Sequence, residues 1–308
     1  MQATPLLTTA FRRPRRREAT GGEYRQIVST ASRSPLPLVT SLVICVLVLG
    51  ASLAGLLIPE IYAGETANWV TQARGQDLGN LVAVVFLLVS AVLRFRGSAI
   101  AGRVWLGTLL YLVYAYVVYA MAVHFNRLFL VYVAVLGLSA YAAMLTIGRL
   151  RSESVAVRPG APRRVAALTL LVTGVLFALL WLTEIVPAMV SGVPPRSLTD
   201  AGLVANPIHV LDLALVLPAF VATGVAALRG RRAGLFWGAP WLTFSVLMGA
   251  SIVCAMGLAA ASGTPDTVPP LVLVSLVTVA SGRALWLSLD PRASRGGREP
   301  HGPSVAAS

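Results

Sequence analysis

The stretch from Asn206 to Pro218, NPIHVLDLALVLP, sets a histidine and an aspartate into an apolar run. His209 and Asp212 stand three residues apart, which puts both on one face of a helix. Asn206 before Pro207 is a helix start: the Asn side chain caps the first turn, and a proline there needs no N–H. The positive end of that helix favours an ionised Asp212. A third ionisable group, Glu184, lies close to the end of the preceding apolar run, which travels the opposite way. At 1.5 Å per residue the three fall roughly 3 to 9 Å below one membrane boundary. An imidazole and two carboxylates at one height can bind a cation or exchange protons. With His124 as a fourth ligand, the set His124, Glu184, His209 and Asp212 is of the mixed His and carboxylate kind that holds Zn, Mn or non-haem Fe. Asn80 and Tyr119 fall toward the same layer and complete the candidate site.

The elements that position these groups follow from composition. Of 308 residues, 56% are apolar and only 12% charged, well outside the range of soluble domains. Eight apolar stretches, near 37–58, 77–93, 104–123, 128–147, 165–189, 207–228, 235–258 and 268–287, are long enough to cross a bilayer. The chain is therefore read as an all-α polytopic membrane protein with eight transmembrane helices over 36–289. The segments 1–35 and 290–308, rich in Arg, Pro, Gly and Ser, are read as disordered tails. All 25 basic side chains are arginine, so no lysine is present for a Schiff base or a phosphate loop, which excludes retinal-type and pyridoxal-type chemistry. Alternate connections divide the arginines 22 to 3, Arg74, Arg127 and Arg196 being the three. That asymmetry predicts both termini in the cytoplasm and a plasma-membrane location, and it accounts for the net charge of +13 without nucleic acid. Basic tails of this kind suit anionic lipid headgroups.

Two features hint at internal order. Asn80 opens NLVAVVFLLVSAVLRFRG with Trp105 twenty-five residues on, and Asp212 opens DLALVLPAFVATGVAALRG with Trp237 at the same interval. Such spacing predicts two parallel four-helix repeats, 37–150 and 165–289. Tyrosines at 111, 114, 116 and 119 spread too widely round a helix for one ladder and are read chiefly as packing groups, Tyr119 being nearest the polar layer. Cys45 and Cys254 fall at different depths and are not expected to pair.

Acidic side chains gather in the outer halves of the spans, which predicts an acidic, hydrated cavity open away from the cytoplasm. Three functions suit such a site: a carrier or binder of a small cation or proton-coupled solute, a scaffold or sensor in which the polar groups only join helices, and a metal-dependent intramembrane hydrolase. No H-E-x-x-H or comparable motif supports the last, and no organic cofactor is expected. The segments NPIHVLDLALVLP, FNRLFLVYVAVLGLS and GNLVAVVFLLVSA resemble multi-span membrane proteins of GC-rich bacteria. The resemblance covers about 37 to 289 and implies a membrane fold, but it brings no substrate, cofactor or catalytic residue.

Overall fold

A computed structural model describes residues 36–153 and 157–289, so both tails inferred above lie outside the described residues. Eight helices are long and apolar enough to span a membrane, and the described residues form no strand, only an isolated bridge between Val157 and Leu289. They are α1 (Leu36–Leu57), α2 (Ala67–Phe95), α3 (Ala99–Ala122), α4 (Phe129–Ser152), α5 (Ala161–Ser191), the span from Pro207 to Leu228, α9 (Arg232–Ala261) and α10 (Val268–Ser288). A short helix α6 (Arg196–Ala201) follows α5. The sixth span is broken into α7 (Pro207–Leu211), a π-helical turn (Asp212–Val216) and α8 (Leu217–Leu228). A 3₁₀ turn (Pro59–Tyr62) follows α1.

Local chemistry sets several of these boundaries. Asn206 caps α7 as anticipated, its side chain accepting from the Ile208 N–H at 3.0 Å. Thr66 accepts from the Trp69 N–H at 3.2 Å and Ser98 from the Ala101 N–H at 3.2 Å. The second span differs from its sequence reading. It begins at Ala67 rather than near 77, because Thr66 caps a polar turn that stays helical through Gln72, Arg74 and Gln76. Asp77 and Asn80 therefore sit ten and thirteen residues into the helix instead of at its mouth.

Within each set of four spans the helices close a ring in chain order. α1 packs on α2, α2 on α3, α3 on α4 and α4 back on α1; α5 packs on α8, α8 on α9, α9 on α10 and α10 back on α5. The two sets meet mainly where α9 lies against α2 and α3. Small residues allow that approach. A Cβ added at Gly75 would run into Ala255, and one at Gly79 into Ser251, so the sequence GQDLG in α2 forms a close seam with α9. Helix α3 is the hub, the most deeply buried of the eight spans.

The connections 58–66, 123–128, 192–206 and 262–267 share one end of the bundle, here the Arg-poor end. At the opposite, Arg-rich end, Arg103 is buried and its guanidinium donates to the carbonyls of Phe236 (3.2 Å), Leu150 (3.2 Å) and Glu153 (3.0 Å). Arg94 meets the Glu153 carboxylate in a two-pronged pair at 2.9 and 3.1 Å. The Leu150 carbonyl at the end of α4, and the Phe236 carbonyl that Pro240 inside α9 leaves without an N–H partner, are thus satisfied by one planar cation.

Candidate functional site

A polar cavity of about 180 Å³ opens at the Arg-poor end, between the first turns of α2 and the elements α5, α6 and α7. Asn68 and Gln72 face it from α2, Trp181 from α5, Ser197 and Asp200 from α6, and His209 from α7. Its lining is rich in amide, hydroxyl and aromatic groups with Asp200 as its one acid, so it is less acidic than the sequence reading anticipated. Thr66 closes its rim by donating to the Asp200 carbonyl at 2.8 Å.

Glu184 and His209 come together. The carboxylate Oε2 stands 3.8 Å from His209 Nε2, an ion-pair distance when the imidazole is protonated, and Oε1 accepts from the Ser197 N–H at 3.2 Å. Asp212 does not join them directly. Its Oδ1 accepts from the Tyr114 hydroxyl at 3.0 Å and its Oδ2 from the Trp181 indole N–H at 2.8 Å. Trp181 is the link that sequence reading missed: one ring walls the cavity, packs on His209 with centroids 4.6 Å apart, and donates to Asp212. The i, i+3 spacing of Trp181 and Glu184, which sets both on one face of α5, was the available signal.

Asp212 opens the π-helical turn, in which the Leu217 N–H returns to the Asp212 carbonyl. Pro218 follows at once and has no N–H to return. Single π turns recur at functional sites. The carboxylate therefore sits where its own helix is least regular.

The remaining candidates lie elsewhere. Asn80 belongs to a buried network in which Tyr111 donates to its Oδ1 at 3.0 Å, Gln76 donates to Tyr111 at 2.7 Å, and the Ser251 hydroxyl pairs with Tyr111 at 2.7 Å. Tyr119 donates to Asp77 Oδ1 at 2.7 Å, and Tyr62 donates to Oδ2 at 2.7 Å. Burial, and then the Asp77 charge, push the Tyr62 phenol above its ordinary range, so it stays a donor. His124 pairs with Glu65 at 3.0 Å, its backbone N–H also donating to that carboxylate at 2.6 Å. The four proposed metal ligands are thus divided among three settings, and the described residues contain no group of three or more His, Cys, Asp or Glu side chains disposed to hold a metal ion. Three of the four α3 tyrosines, 111, 114 and 119, are hydrogen-bonded to three different polar side chains of other helices, an allocation their angular spread allows.

Fold and composition together define an integral, multi-span helical membrane protein. No protein-family model matches the chain, and no curated protein or solved structure matches it.

Proposed function

We propose that the protein binds, and carries across the membrane, a small cation or a proton-coupled solute that enters the cavity at the Arg-poor end. The observation that carries this reading is Trp181, which separates the cavity from the Asp212 carboxylate while touching both the cavity and His209. A solute that displaces the indole would free an acceptor on Asp212 and expose a carboxylate to the cavity, where a cation or a proton can compensate it. The π turn and Pro218 supply a segment of helix that can repack as this happens. His209 and Glu184, paired beside the cavity, add a second group able to take up a proton.

The test is reconstitution into phosphatidylcholine–phosphatidylglycerol vesicles loaded with a pH-sensitive dye. A gradient of Na⁺, K⁺ or tetramethylammonium is expected to move protons through the unaltered protein and not through Asp212→Asn. A scaffold would give no proton movement with any of these cations and no change in tryptophan fluorescence on adding them, and that result would reject the reading.

A further inference from the structure

Asp77 takes no part in the cavity, yet its setting is that of a working carboxyl group. Its residue is 1% exposed in the middle of α2, and no arginine or histidine nitrogen among the described residues forms an ion pair with it. A carboxylate charged at all times and buried in this way is normally matched by a cation. The groups around it are instead hydroxyls: Tyr62 from the 3₁₀ turn and Tyr119 from α3 donate to its two oxygens, and Tyr111 and Tyr116 of α3, Tyr132 of α4 and Ser52 of α1 stand nearby, with Arg74 three residues earlier on α2 itself. Space for the carboxyl is provided by Gly55, where a Cβ would run into both Asp77 and the Tyr62 hydroxyl.

Tyr119 is the informative neighbour. Its hydroxyl lies 2.7 Å from Asp77 Oδ1 and 3.2 Å from the carbonyl of Ala73, one turn earlier on α2. Two hydrogen-bond sets therefore fit the same heavy atoms. With the carboxyl ionised, Tyr62 and Tyr119 each donate to one oxygen. With Oδ1 protonated, that oxygen donates to Tyr119, whose own O–H turns to the Ala73 carbonyl, while Tyr62 continues to donate to Oδ2. The hydroxyls of Ser52, Tyr116 and Tyr132 are also buried in this cluster without a partner. A hydroxyl rotation thus absorbs the gain or loss of one proton while the Tyr62 and Tyr119 donors keep a partner in both states.

We propose that Asp77 is a reversible proton-binding site, closed by Tyr62 and switched by rotation of the Tyr119 hydroxyl between Asp77 Oδ1 and the Ala73 carbonyl. Tyr62 connects the site to the Arg-poor end, since it ends the turn that carries the exposed Glu60. The site is distinct from the Trp181 cavity and does not rest on transport.

Infrared difference spectroscopy on the purified full-length protein, titrated between about pH 5 and pH 9, tests it. A protonated-carboxyl band should grow on acidification, vanish in Asp77→Asn and persist in Asp212→Asn. In Tyr119→Phe, which keeps the ring and removes the rotor, the midpoint of that band should move by about one pH unit or more, the scale of one hydrogen bond to the charged form. Identical pH-difference spectra in the unaltered protein and Asp77→Asn overturn the proposal. Should Asp77→Asn fail to fold, an unshifted titration in Tyr119→Phe overturns it instead. Failure of the vesicle assay bears on the Trp181 cavity alone, because this readout does not depend on flux.

Discussion

Trp181 carries more of the candidate site than any ionisable residue, because its ring and its N–H face different partners. Replacing it with phenylalanine keeps an aromatic face for His209 and deletes the donor to Asp212. One carboxylate oxygen then loses its partner in a buried setting, a change that costs about 1 to 3 kcal/mol. Trp181→Phe should lower the thermal midpoint in detergent by several degrees and abolish cation-driven proton movement. Asp212→Asn should behave differently. An asparagine can aim its carbonyl at Trp181, which only donates, and its NH₂ at Tyr114, whose hydroxyl also accepts. It should therefore unfold near the unaltered midpoint while losing flux, whereas Asp212→Ala should lose both, and differential scanning fluorimetry separates the cases. The convergence of His209 with Glu184 was legible from depth counting. The placement of Asp212 behind Trp181 was not, because i, i+3 spacing gives two side chains a common face and does not say which ring of a neighbouring helix, here the Trp181 indole, stands between them.

At the scale of elements, the seam between α2 and α9 fixes how the two four-span sets meet. Gly75 and Gly79 are readable as a small-xxx-small pair, but only if the helix is known to extend back past Asp77. Hydropathy started the span too late because Gln72, Arg74, Gln76 and Asp77 depress the local average, although Gln76 and Asp77 are satisfied inside the protein rather than by water. Most other span boundaries agree to within a few residues, since long uninterrupted apolar runs leave little choice. The seam makes a sharp prediction. Gly79→Leu must displace Ser251 and with it the Tyr111–Asn80 network, so it should destabilise by about 1 to 3 kcal/mol or more. Gly50→Ala, on the exposed side of α1 where a Cβ meets nothing, should be neutral or stabilising by up to about 1 kcal/mol. Thermal unfolding of the two variants in the same detergent compares them directly.

At the scale of the whole molecule, the cavity, the Asp77 cluster and the His124–Glu65 pair all lie toward the Arg-poor end, while the Arg94–Glu153 and Arg103 contacts lie at the other. The polar chemistry is therefore one-sided, and which compartment it serves depends on orientation. Arginine asymmetry predicts that the Arg-poor end faces away from the cytoplasm, because loops rich in Arg are retained during insertion. Two single cysteines in a background with Cys45 and Cys254 replaced by serine or alanine test this. Val204→Cys lies in the connection between α6 and α7, where the native side chain is fully exposed. Ser152→Cys is a near-isosteric change at the exposed end of α4, on the Arg-rich side. A membrane-impermeant maleimide applied to intact cells should label the first, and should label the second only after permeabilisation. The reverse pattern would turn the cavity toward the cytoplasm, leaving its geometry intact but making the solute it receives an internal one.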